Sequence, residues 1–102
     1  MNETDIKHQV KDYLDLQGFF HFPIMQGLGS MPGLPDRIAI SKNGIVIFLE
    51  IKAGKNKQSD YQIKFEKEIK NHNGIYLLIY SIEELIDWIE NNNLEIQARL
   101  IK

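Results

Sequence analysis

The sequence predicts an α/β domain in which a mixed central sheet is flanked by helices, in the order α-β-β-β-α-β-α. Three observations carry that expectation. The strand-like runs Arg37-Ile38-Ala39-Ile40-Ser41 and Ile45-Val46-Ile47-Phe48-Leu49 are separated around Asn43-Gly44, a strong hairpin signal, which makes the two strands antiparallel. The succession strand, helix, strand across residues 45–80 calls for a right-handed parallel crossover, which makes the sheet mixed. Apolar residues at helical spacing near both ends of the chain supply the flanking layers.

Ile6, Val10, Tyr13 and Leu14 recur at helical spacing, and Asn2 or Thr4 can cap the start, so a first helix is expected from about residue 3 to Gln17, ended by Gly18. Phe19 to Ile24 is short and aromatic and reads as a first strand, with Pro23 marking an edge or bend. Residues 25–35 hold Gly27, Gly29, Pro32, Gly33 and Pro35, which is loop chemistry. The hairpin occupies about Asp36 to Lys52, and Ala53 to Lys57 leads onward. Ser59-Asp60-Tyr61-Gln62 resembles a capping box, and Tyr61, Phe65 and Ile69 give the next helix an apolar stripe that Asn73-Gly74 closes. Ile75 to Tyr80 is a continuous apolar strand, expected to be buried on both faces. Ser81-Ile82-Glu83-Glu84 reads as another capping box, and Ile82, Leu85, Ile86 and Ile89 set the last helix against the sheet. From Leu94 to Lys102 the pattern fits either a further edge strand or a tail.

Residues 1–102, with 43% hydrophobic content, make one domain able to bury roughly 60–70% of its unfolded surface. The absence of cysteine excludes disulfides and thiolate metal sites and fits a reducing compartment. No apolar run approaches the ~20 residues that span a bilayer, and Met1-Asn2-Glu3-Thr4-Asp5 is polar and acidic. The expectation is a cytoplasmic protein, in the host cytoplasm if phage-encoded, with no membrane partner. A net charge of −2 argues against a general nucleic-acid coat protein. The charge is unevenly spread, however. Glu83, Glu84, Asp87, Glu90 and Glu95 gather in residues 81–95, whereas Lys52, Lys55, Lys57, Lys64, Lys67 and Lys70 outnumber Asp60, Glu66 and Glu68 in residues 52–70. The second stretch is locally basic, although a solvated lysine face accounts equally well for Lys67 and Lys70.

Chemistry concentrates at Pro35-Asp36 and, thirteen residues later, Glu50-Ile51-Lys52. Residues i and i+2 of a strand project from one face, so Glu50 and Lys52 stand side by side while Ile51 points away. They end an apolar strand, where charges are rarely placed without use. Asp36 opens the hairpin partner of that strand. A two-residue turn at Asn43-Gly44 would put Asp36 opposite Ile51 and on the wrong face. A three-residue loop, Lys42-Asn43-Gly44, pairs Ser41 with Ile45 and brings Asp36 opposite Glu50. The prediction is therefore the odd register, with Gly44 at positive φ in a G1 bulge, or else a compensating bulge within residues 36–50.

Gly33-Leu34-Pro35-Asp36, Glu50-Ile51-Lys52-Ala53-Gly54 and Ser59-x-x-Gln62 resemble the PD-(D/E)xK nuclease superfamily, and within it the stand-alone VRR-NUC domains related to Holliday-junction resolvases. The resemblance implies a restriction-endonuclease-like core and a metal-dependent deoxyribonuclease acting on branched DNA, with four-way (Holliday) junctions foremost, as a homodimer that can nick both strands. It further implies that Asp36, Glu50 and the backbone carbonyl of Ile51 hold Mg²⁺ or Mn²⁺, with Lys52 orienting or helping to deprotonate a water. Glu3 is a possible further ligand from the first helix, or else a favourable charge at that helix's N-terminus. Gln62 faces the metal site in the resembled family, yet the capping box claims the same amide, which must divide itself between the two tasks. Lys55, Lys57 and Ser59 are candidate DNA contacts. Other readings are a nuclease of flap or duplex DNA, a nuclease-fold module that binds nucleic acid without cutting, and a protein-interaction module. Intact Asp36, Glu50 and Lys52 argue against a binding-only module. A dinucleotide cradle at Gly27, Gly29 and Gly33 lacks the required spacing, and His8, His21 and His72 lack that of a zinc site.

Overall fold

Asn2 caps the first helix. Its side chain accepts the Asp5 N–H at 2.8 Å and the Asp5 carboxylate accepts the Asn2 N–H at 3.4 Å, a reciprocal box that starts α1 at Glu3–Leu16. In the computed structural model, which describes residues 1–27 and 29–95, the remaining elements are β1 (Phe20–Pro23), β2 (Arg37–Ile40), β3 (Val46–Ile51), α2 (Asp60–Asn71), β4 (Ile75–Ile79) and α3 (Ile82–Asn91). The order is the expected α-β-β-β-α-β-α. The sheet runs β1-β2-β3-β4, with β1-β2 and β2-β3 antiparallel and β3-β4 parallel.

Strand alternation divides β3 between two environments. Ile47, Leu49 and Ile51 project to one side, where Ile6, Val10 and Leu14 of α1 and Leu85 and Ile89 of α3 close a fully buried core over them. Val46, Phe48 and Glu50 project to the other side. There α2 supplies the cover, and Phe65 packs edge-on to Phe48 at 5.9 Å between ring centroids and on Tyr76 at 6.4 Å.

The apolar stripe of α2 meets the sheet at Phe65, and no residue of this helix is fully buried. Among the described residues β4 is an edge strand, yet it is covered on both faces as expected: Tyr76 is buried on the α2 side and Ile79 on the other, with Ile75, Leu77 and Leu78 half-buried. One expectation requires correction. Ser81 does cap α3, accepting the Glu84 N–H at 3.4 Å, but the Glu84 carboxylate reaches past it to the Tyr80 N–H at 2.6 Å, so the box is not reciprocal. At the end of α3, Leu94 turns back into the core; the strand-or-tail question for residues 96–102 lies outside the described residues.

Candidate active site

The β2-β3 register decides what faces what. Ile40 pairs with Val46 and Arg37 with Leu49, so the same register carried one residue further sets Asp36 opposite Glu50. The turn is the predicted three-residue one. Ser41 N–H donates to Ile45 O and Gly44 N–H to Ser41 O, both at 2.9 Å, and Gly44 has φ 86°. Another residue of turn parity would have sent Asp36 to the other face.

One step further, the register sets Pro35 opposite Ile51. The Ile51 N–H donates instead to the Asp36 carboxylate at 2.7 Å, which places it on the β2 side of β3. In an antiparallel ladder a residue directs its N–H and C=O to the same neighbour, so the Ile51 carbonyl faces the same edge. Pro35 has no N–H to give it. Proline before Asp36 thus leaves a backbone oxygen available beside two carboxylates.

Glu50 is 2% exposed. Its Oε2 lies 3.1 Å from Lys52 Nζ and accepts the Gln62 Nε2–H at 2.8 Å, whereas Oε1 is buried with no hydrogen-bond partner among the described residues. Burial pushes its carboxyl up to about 7, and the Asp36 charge pushes the same way against the opposing Lys52 ammonium. Gln62 resolves the competition for its amide by dividing it. Oε1 accepts the Ser59 N–H at 2.9 Å to complete the cap of α2, and Nε2 holds Glu50. Capping and site support coexist because an amide has an acceptor end and a donor end.

Gly33 makes the adjoining cleft possible. A Cβ there would lie 2.2 Å from the Tyr61 carbonyl oxygen, so only glycine lets the 25–35 loop press against the start of α2. Asp36, Ser59 and Gln62 consequently line one cleft. Lys55 and Lys57 are exposed on the loop after β3. Glu3 does not join Asp36 directly. Lys7 stands between them, with Nζ 3.4 Å from Glu3 and 3.3 Å from Asp36. Burial disfavours the Lys7 charge, but the two carboxylates outweigh it and hold its pKa above the ordinary value. Sequence reasoning passed over Lys7; its spacing from Glu3 signals an ion pair within the helix, and only the tertiary fold brings Asp36 to it.

A solved structure described as a VRR_NUC domain matches this arrangement with a TM-score of 0.76, over 86% of this chain and 94% of that one, at 19% sequence identity. The fold is that of a VRR_NUC domain. No protein-family model and no curated protein sequence matches the chain. On this fold, Asp36 and Glu50 stand opposite each other where β2 and β3 meet, with the Ile51 carbonyl directed to the same edge. The partnerless, buried Oε1 of Glu50 is the observation that tests their fit to a hard divalent cation, and it fits: an acidic oxygen already stripped of water costs little further to desolvate. Among the described residues no third Asp, Glu, His or Cys completes a metal-binding group.

Proposed function

We propose that this protein is a Mg²⁺- or Mn²⁺-dependent endonuclease that hydrolyses DNA phosphodiester bonds at four-way or other branched junctions. The observation carrying the reading is Glu50, a carboxylate buried opposite a second carboxylate with one oxygen unsatisfied, on a nuclease fold. When bound, the cation supplies positive charge against the phosphate oxygens and makes an attacking water more acidic. Asp36, Glu50 and the Ile51 carbonyl would hold it. Gln62 fixes Glu50 through Oε2 and so leaves Oε1 to the cation. The ammonium of Lys52, a donor only, orients the water and the phosphate and aids the water's deprotonation. Lys55, Lys57 and Ser59 contact the DNA backbone. Glu3 acts through Lys7 rather than as a ligand.

The protein works as a homodimer, because two sites related by a two-fold axis would cut both strands of a junction. Phe20, 67% exposed, stands with Phe22 and Val46 on the sheet face that α2 leaves open, and this apolar patch is the surface offered to the second copy. Sedimentation of Phe20→Ser checks it; a variant as associated as the wild type sinks that surface.

The deciding experiment incubates end-labelled four-way, flap, duplex and single-stranded DNA with Mg²⁺ or Mn²⁺, beside Lys52→Ala. Cleavage strongest on the four-way junction and lost in the variant is expected. Preference for flap or duplex would change the substrate, and cleavage undiminished in Lys52→Ala would end the assignment.

A further inference from the structure

Tyr61 fits neither the core nor the catalytic group. It heads the apolar stripe of α2, yet it is 64% exposed. Tyr61, Phe65 and Ile69 form one wall of a groove of about 490 Å³ whose other wall is Met31 and Pro32. That volume lies within the ~300–1,000 Å³ of small-ligand sites. Its surface is almost wholly apolar, and Lys64 and His72 are among the charged or polar residues that border it. Tyr61 also lines the cleft of Asp36, Ser59 and Gln62, so groove and candidate active site are continuous through one aromatic ring.

We propose that this groove is a nucleobase subsite, in which one unpaired base next to the cleaved nucleotide stacks on Tyr61. The inference rests on the nucleic-acid reading of the neighbouring site. An aromatic wall beside a phosphodiester site suits a base, which has an apolar face and a polar edge. Lys64 forms no ion pair among the described residues and can take the base's own phosphate. Glu68 offers an acceptor to exocyclic amines at the base edge. The need for an unpaired base also gives a physical ground for preferring branched DNA, whose junction nucleotides unstack more readily than those within a duplex.

The test measures binding of the full chain, with EDTA present so that nothing is cut, to a single-stranded oligonucleotide and to a blunt duplex of the same sequence. Tyr61→Ala lowers single-strand affinity by about 5–150-fold, the range for loss of one stacked base, and moves duplex affinity by less than about twofold. Tyr61→Phe, which keeps the ring, stays within about twofold of the wild type on both. As an independent measurement, 2-aminopurine in the single strand is quenched by the wild type and not by Tyr61→Ala. Single-strand affinity unchanged in Tyr61→Ala, or equal losses on single strand and duplex, overturns the subsite while leaving the nuclease reading standing. A wild type that binds neither DNA overturns both.

Discussion

The two faces of the sheet differ in how completely they are closed. Beneath α1 and α3 the core is apolar, and Val10, Leu14, Ile47, Leu49, Leu85 and Ile89 are shut off from solvent. Beneath α2 the cover is partial: Phe20 and Val46 remain open, no α2 residue is fully buried, and Glu50, the one buried charged group among the described residues, carries an unsatisfied oxygen. Leu49 and Glu50 are neighbours on β3, so a single peptide bond separates the face that holds the fold together from the face that holds its chemistry. Hydrophobic burial stabilises the first, whereas the second retains a desolvated charge at a cost in stability.

The sharpest way to break this comparison is through activity. Asp36→Asn and Lys52→Ala should each reduce cleavage by roughly 10²–10⁴-fold, the range for removal of a positioned catalytic group, while thermal melts remain two-state near the wild-type Tm. A variant that loses activity only because it has unfolded would erase the distinction between the faces.

Next in size is the opposite result one residue away from Glu50. Leu49→Ala should cost roughly 2–5 kcal/mol through lost burial and the cavity left behind. Chemical denaturation reads this directly, and a loss below about 1 kcal/mol would mean that the α1/α3 face is less tightly packed than it looks.

A smaller effect runs the other way. Because the Glu50 carboxyl titrates at about 7 in the folded protein instead of at the ordinary 4.5, the folded state holds its proton more tightly than the unfolded chain does. Its contribution to stability is complete below the unfolded pKa and is lost as pH rises through about 7. In EDTA at pH 8, Glu50→Gln should therefore be more stable than the wild type by on the order of 1–3 kcal/mol, the scale of a buried unsatisfied group. The gap should close towards pH 4.5, and Mn²⁺ should raise the Tm of the wild type alone. Equal melting curves at pH 8 would show that Glu50 carries no such cost.

The smallest effect belongs to the loop between β3 and α2. If Lys55 and Lys57 each neutralise a phosphate, replacing both with Ala should flatten the log-affinity against log-salt slope on duplex DNA by about 1.8, at ~0.9 per contact. An unchanged slope assigns both to solvent.

Much of this was legible without coordinates because it depends on local periodicity. Alternation along β3 sets Glu50 beside Lys52, and turn parity at Lys42-Asn43-Gly44 sets Asp36 opposite Glu50. The illegible parts are those that depend on what packs over an element. A 3.6-residue stripe identifies the apolar side of α2 but not how far the sheet extends beneath it, so membership of the stripe does not tell that Tyr61 is open. An apolar run such as Ile75–Ile79 does not reveal whether a strand is central or at an edge. The alliance of Lys7 with Asp36 joins residues 29 positions apart, and nothing in helical spacing points from one to the other.

The loop between β1 and β2 is fastened at both ends. Ile24 N–H donates to Asp36 O at 2.9 Å at one end, and Gly33 presses on the Tyr61 carbonyl at the other. Between those two fastenings Gln26 still reaches the cleft, donating to Leu34 O at 3.0 Å, while any side chain at position 33 would lever the loop away from α2 and pull Asp36 and Gln62 apart. This makes Met31, on the groove wall facing α2 and away from the carboxylates, the natural position for exchanged sequence, where the shape of that wall can be altered without rebuilding the cleft next to it.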